Sequence, residues 1–253
     1  MASLSKPAPP SAPSRARNAA VTRVQILEQA IAEFATQGVA GARTAAIAEA
    51  AGVNKALLYY YYKDKQSLYA AALQAVFGGF VEELMPMLES SLPAGEKLLR
   101  FARAHFEYLI QHPNYPRLIQ QELSRAGMRG ALSEDFHAIS SAHFIPLQRA
   151  GMRVIAEGIA SGELRQLEAA GALSKVIGMN VFYFISAPIM RAVRGIDPFS
   201  VRARRAHVAS SLDFIGAALF AERRQGVALA QKIARAPSAL PHALRSGKGK
   251  AKE

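Results

Sequence analysis

The chain has 253 residues, half of them hydrophobic and a fifth charged, enough to bury a sizeable core and too apolar for a wholly disordered protein. It contains no cysteine, which excludes disulfides, thiolate metal sites and a cysteine redox switch. The net charge of +12 sits at the ends: eight basic against four acidic residues over 1–65, fifteen against fourteen over 66–222, and eight against one over 223–253. A neutral middle with basic ends suits a polyanionic partner, through counterion release, and equally suits tails that only keep the protein soluble.

Residues 1–17 are rich in Pro, Ser and Ala and lack apolar periodicity, so they are expected to form a disordered arm with a basic end at Arg15 and Arg17. They also lack the roughly 7–15-residue apolar stretch of a secretory signal. The longest apolar run, Val176 to Met190, is interrupted by Asn180 and Pro188 and falls short of the roughly 20 residues needed to span a bilayer. The expectation is a cytoplasmic protein with no membrane partner.

From residue 18 the period is helical. Leu27, Ala30, Ile31 and Phe34 recur on one face, and Gly38 stands where a left-handed cap is expected. The stretch from Ala42 to Lys65, ARTAAIAEAAGVNKALLYYYYKDK, then reads as two short helices. Thr44 is expected to cap the first, whose inward positions are Ile47, Ala48 and Ala51. Gly52 supplies a tight turn, Val53 packs between the helices, and Asn54 caps the second. Two short helices around a Gly-containing turn form a helix-turn-helix.

The second helix divides into two faces. Leu58 and Tyr62 point inward, while Lys55 with Tyr59 and Ala56 with Tyr60 share the outward side. A lysine, two tyrosines and a small residue suit a major groove, where tyrosine hydroxyls reach phosphates and rings meet thymine methyls.

Further helical patterns run over 66–90, 95–112, 116–127, 134–160, 168–194 and 200–224, with breaks at Pro93, Pro113, Gly130, Gly162 and Pro198. No strand alternation or repeat is present. The fold class is therefore all-α: an N-terminal three-helix DNA-binding domain with a helix-turn-helix, followed by a larger helical domain. The expected divisions are a disordered arm over 1–17, a DNA-binding domain over 18–65, a helical body over 66–224 and a basic tail over 225–253. Within that tail, 225–236 has the pattern of a short amphipathic helix.

The run from Arg23 to Leu68, with AIAEFATQG, TAAIAEAAGV and LYYYYKDKQSL, resembles the TetR family of transcriptional regulators. HPNYPRLIQQEL (112–123) and IAEGIASGELR (155–165) resemble that family's ligand-binding domain more loosely. The resemblance implies that Arg43 and Thr44 meet DNA near the first reading helix. It also implies that Asn54 caps the second, that Lys55, Ala56 and Leu57 face base edges, and that Tyr59 and Tyr60 contact phosphate or sugar. Lys65 would hold a phosphate from the start of the next helix. Asn54 stands where the family frequently has serine or threonine, Ala56 replaces its usual glycine, and Tyr60 replaces a frequent histidine. These departures leave operator identity open.

The same resemblance implies a homodimer on a palindromic operator, released by a small-molecule effector enclosed in the body. Its candidate lining is His105, Tyr108, His143, Phe144, Met179, Phe182 and Tyr183, although aromatics at helical spacing are equally ordinary core. The lining suits an apolar molecule and offers no arginine cluster for a polyanion. Small residues among apolar ones in 170–194 (Gly178, Ser186, Ala187) and 200–224 (Ser210, Ser211, Gly216, Ala217) point to a helical dimer interface. His105 and His112 do not make metal spacing, and neither a metal nor a cofactor is expected. No nucleophile elbow, phosphate loop or paired carboxylates support an enzyme. The remaining alternative is an architectural DNA-binding protein without an effector.

Overall fold

The structure is a computed structural model that describes residues 12–129, 133–238 and 240. Twelve α-helices and a π-helical turn account for the order of elements, and no strand occurs among the described residues beyond one isolated bridge between Leu164 and Phe220. The chain divides into two compact units, Met1–Ala75 and Val76–Glu253.

The first unit holds α1 (Ala12–Gly41), α2 (Thr44–Ala50), α3 (Lys55–Tyr61) and the start of α4 (Lys65–Glu89). α1 is helical from Ala12, so the expected arm over 1–17 is corrected at its end: residues 12–17 already belong to a helix, and 1–11 lie outside the described residues. Its alanines favour the helical backbone more than the expected disorder allowed. Gly38 has φ 68 and ψ 166. It kinks α1 rather than closing it as a left-handed cap, and the helix resumes to Gly41. Ile26, Ala30 and Phe34 on α1 bury fully, and Phe34 meets Tyr69 of α4 edge to face at 4.9 Å. Burial of each such large side chain is worth about 1.5–3 kcal/mol. Leu68, Tyr69, Ala72 and Leu73 are all fully buried. They carry the first unit to Ala75, past the expected boundary at 65/66.

The second unit is the larger helical body. α5 (Ala94–Gln111) is its central helix, with Leu98, Leu99, Phe101, Ala102, Phe106, Tyr108 and Leu109 buried. α6 (Asn114–Arg129), α7 (Glu134–Ile139) and α8 (Ile145–Ala160) follow, with the π-helical turn Ser140–Phe144 between the last two. Pro146 lies at the start of α8, where it lacks an N–H and crowds the preceding turn; the wider π turn stands directly before it. The expected break at Gly130 lies outside the described residues.

The pattern over 168–194 forms two helices rather than one, α9 (Ala169–Ile185) and α10 (Ala187–Arg194), bent by 55°. Pro188 in the first turn of α10 cannot follow a straight helix without striking the carbonyl of Phe184. α11 (Val201–Leu219) is capped by Ser200, whose hydroxyl accepts from Ala203 N. α12 (Arg223–Arg235) then folds back on α11.

α12 corrects the expected tail over 225–253. Its Gly226 lies so close to Gly216 of α11 that a Cβ on Gly216 would stand 2.4 Å from the Gly226 carbonyl oxygen. Ala230 and Ile233 are buried, so this helix belongs to the body. The rest of the expected tail, from 241, lies outside the described residues.

α4 is the one described helix long and apolar enough, by itself, to cross a membrane. Its apolar residues serve two cores, with Leu68 to Leu73 in the first unit and Phe77, Phe80, Leu84 and Leu88 buried in the second.

Candidate functional site

In the first unit, α2 and α3 pack around the turn at Gly52, whose φ is +66, a conformation that glycine adopts without steric cost. Asn54 caps α3 through its Oδ1, which accepts from Leu57 N at 2.8 Å. Leu58 is fully buried and Tyr62 is 4% exposed. The Tyr62 hydroxyl donates to the Arg23 carbonyl at 3.3 Å, and the Arg23 guanidinium lies over its ring. With this face pinned to α1, the opposite face of α3 is free. Lys55 and Ala56 are exposed there, with Tyr59 at 40% and Tyr60 at 80% exposure. Leu57 is half-buried, at the edge of that face.

Thr44 departs from its expected role as a cap. It is the first residue of α2, and Arg43 occupies the cap position without a side-chain bond. The Arg43 N–H donates to Glu33 Oε1 at 3.0 Å, while the Thr44 hydroxyl turns toward α3. That hydroxyl lies 3.1 Å from the hydroxyl of Tyr59, so α2 and α3 each present one hydroxyl at the same place. Lys65 Nζ donates to the Ala40 carbonyl at 3.1 Å, with two further protons to give. Asp64, which the sequence reading passed over, starts α4: its Oδ1 accepts from Ser67 N and Oγ at 2.7 and 2.8 Å. Those bonds hold its carboxyl below the usual range.

The second unit gathers the effector candidates into two sets. Tyr108, His143 and Phe144 join the aromatic group of Phe77, Phe80, Tyr115 and Phe136; Phe80 stacks on Tyr115 at 4.7 Å and Phe77 lies 5.1 Å from Phe144. Gly78 on α4 leaves room for the His143 ring, since a Cβ there would touch its Cε1 at 3.4 Å. Burial raises the Tyr108 and Tyr115 hydroxyls above their ordinary value, so both stay protonated.

Tyr183 belongs to a second set with Phe106 and His207, and its hydroxyl donates to the Pro198 carbonyl at 2.5 Å. Asn180 links the sets. Its Nδ2 donates to the Ala102 carbonyl at 2.8 Å and lies 3.3 Å from His105 Nδ1. A carbonyl only accepts, so the amide orientation is fixed. Asn180 Oδ1 must then accept from His207 Nε2 at 3.0 Å. Burial lowers both His105 and His207 to about 4, so both rings are neutral at pH 7.

Met179 is half-buried on α9, and Phe182 points away from both sets at 66% exposure. Asn180, His207, Phe77, Phe80 and Tyr115 were missed in the sequence; an asparagine inside the apolar run 176–190 was the visible signal for the first. Ser211 and Gly216, read there as interface residues, face inward instead. Ser211 Oγ lies 3.4 Å from His207 Nε2, and Gly216 packs on α12.

The profile of bacterial regulatory proteins of the tetR family matches residues 26–72, and that of the tetracyclin repressor-like C-terminal domain matches residues 93–225. Among relatives, the HTH-type transcriptional repressor NicS of Pseudomonas putida is 28% identical over 127 residues, which cover 50% of this chain and 59% of that protein. The crystal structure of a gamma-butyrolactone receptor (ArpA-like protein) superposes with a TM-score of 0.61 at 16% identity, over 85% of this chain and 98% of that one. FadR from Bacillus subtilis, solved in complex with stearoyl-CoA, superposes with a TM-score of 0.59 at 23% identity, over 76% and 96%. At these identities the structural likeness speaks for the fold. The two profiles together span the helix-turn-helix and most of the helical body, and the chain belongs to the TetR family of bacterial regulatory proteins.

Proposed function

We propose that this protein regulates transcription by binding a palindromic operator as a homodimer, most simply as a repressor that a small, largely apolar effector releases. The observation that carries the reading is the outward face of α3, with Lys55, Ala56, Tyr59 and Tyr60 exposed while Leu58 and Tyr62 fix the opposite side. That face exposes two tyrosine rings beside a lysine and a small residue. It matches what a major groove accepts. Arg43, Thr44 and Lys65 would add phosphate contacts that position it.

A dimer is supported by apolar side chains that nothing among the described residues covers. Phe182, Ile185, Ile189 and Val193 on α9 and α10 are 41–76% exposed, and Phe214 on α11 is 60% exposed. Exposed clusters of this size mark partner surfaces. Gly178 on α9 has nothing within 4 Å of its would-be Cβ, which allows a second helix to approach closely. Two reading heads then bind half-sites about one helical turn apart.

The effector reading is supported by the aromatic set around Phe80 and by the polar groups of His105, Tyr108 and His143 beside it. The B. subtilis FadR structure contains a long acyl chain; for this chain, an apolar body with one or two hydrogen-bonding groups fits the lining. The mechanism would be a population shift toward a state whose reading heads no longer match the operator. Gel shift on the DNA flanking the protein's own gene, with and without aromatic and acyl compounds that raise its melting temperature, tests the reading. Specific binding lost on addition of such a compound supports it. Release only by strongly charged metabolites would contradict the apolar effector, and sequence-independent binding would favour an architectural role.

A further inference from the structure

A groove of about 1200 Å³ opens between α5, α11, α12 and the segment after α12. None of the effector candidates lines it. Its walls carry Arg103 from α5, Arg204 and Arg205 from α11, and Arg235 from α12, against two carboxylates, Glu107 and Asp213. The arginines come from three helices, and the return of α12 onto α11 brings Arg235 to the same groove as Arg204 and Arg205.

Two of the charges are already paired. Arg103 Nε lies 2.7 Å from Glu107 Oε1, and its guanidinium also donates to the Ile233 carbonyl. The other oxygen of Glu107 accepts from the Ser238 hydroxyl at 2.6 Å. Three arginines remain for one acid, Asp213. The Nε of Arg204 is buried and has no hydrogen-bond partner among the described residues. A buried N–H without an acceptor is rare in folded proteins and calls for an oxygen from outside the chain. Between the arginines lie Phe106, Ile110, Val201 and Val208, an apolar floor.

We propose that this groove binds an organic anion, with a carboxylate, sulfonate or phosphate head held by Arg204, Arg205 and Arg235 and an apolar body laid on Phe106, Ile110 and Val208. The guanidinium fork suits such heads and keeps its charge at any physiological pH. The chain's own last residues are a poor occupant, because 241–253 carry Arg245, Lys248, Lys250 and Lys252 against Glu253 and are repelled. A nucleic-acid backbone is a poor one as well, since the apolar floor offers it nothing. The groove's volume of about 1200 Å³ is somewhat above the usual small-molecule range of roughly 300–1,000 Å³, with room for an organic anion that does not fill it. The groove is separate from the aromatic set around Phe80 and from the proposed operator-binding face, and it shares Phe106 with the set around Tyr183.

The test compares two dyes of the same shape on the full-length protein, 1-anilinonaphthalene-8-sulfonate and its uncharged relative N-phenyl-1-naphthylamine. The variants are the double substitution Arg204→Gln with Arg235→Gln, and the single Arg205→Gln at an exposed position that keeps the fold. The sulfonate dye should bind wild type more tightly than the neutral dye. It should lose about tenfold in affinity in the double variant, and less in the single one, as charge-assisted bonds are removed. Added salt should weaken it by screening, and the neutral dye should bind all three proteins alike. Circular dichroism checks folding, and if the double variant unfolds, Arg205→Gln decides. Equal affinity of the sulfonate dye for wild type and folded variant overturns the proposal, as does an equal loss of both dyes. Gel shift on the same samples reports separately on operator binding, so failure of one reading is not mistaken for failure of the other.

Discussion

His207 Nε2 and Asn180 Oδ1 lie 3.0 Å apart, and through that contact α11 is tied to α9 and, by the asparagine's amide, to Ala102 and His105 of α5. This chain of bonds requires a neutral His105, whose Nδ1 accepts, and places a proton on Nε2 of His207. Burial lowers both histidines from 6.5 to about 4. The unfolded chain therefore takes up protons first as pH falls. The stability these rings contribute is whole above about pH 6.5 and is lost as pH falls toward 4, by up to about 1.4 kcal/mol per pH unit for each histidine. Thermal melts across that range should show the fall, and His105→Gln should make it shallower. A melting temperature flat from pH 7 to 4.5 would show that the rings are not held neutral.

Phe214 is 60% exposed on α11, so Phe214→Asp should leave the isolated chain folded. It should abolish dimerisation and operator binding together, because one reading head contacts too few bases for specific binding. Sedimentation at micromolar concentration alongside gel shift checks this. A variant that is monomeric yet binds the operator normally would separate the two losses and remove Phe214 from the interface.

The Gly216–Gly226 contact tolerates no added methyl, since the clash is with backbone rather than with a mobile side chain. Gly216→Ala should cost about 1–3 kcal/mol, or several degrees of melting temperature in a domain of this size. If α12 were the solvated tail expected from its charge, the substitution would be silent.

On the proposed DNA-binding reading, the paired hydroxyls of Thr44 and Tyr59 would meet a single phosphate. Thr44→Val and Tyr59→Phe should each weaken DNA binding by about 1 kcal/mol, and the double variant should lose clearly less than the sum. The salt dependence should fall by about one phosphate's share. Additive losses would mean that the two residues serve separate contacts.

The parts of this account that were legible in the sequence are those with a local signature. Asn54 announces its cap three residues before Leu57, Gly52 marks the turn, and Leu58 and Tyr62 share a face by helical spacing alone. Thr44 misled because α2 starts one residue earlier than its capping preference suggests: Arg43 holds the cap position, and the Thr44 hydroxyl turns to Tyr59 on α3. The basic charge of 225–235 suggested a tail, and only the glycine pair with α11 shows why that segment packs. Asn180, His207 and the arginine groove were beyond reach for the same reason: their members meet across 27 to 130 residues of chain, a separation that no periodicity reports.

The central claim is that the outward face of α3 reads DNA, and the most direct measurement is fluorescence anisotropy of a labelled operator with Lys55→Ala and Tyr60→Ala proteins. Tyr60 is 80% exposed, and its hydroxyl makes no hydrogen bond among the described residues, so its loss should not disturb stability. The account predicts that each variant keeps the wild-type melting temperature and loses about 1–3 kcal/mol of specific affinity, with non-specific binding little changed for Tyr60→Ala. Wild-type affinity and sequence preference in both variants would contradict it.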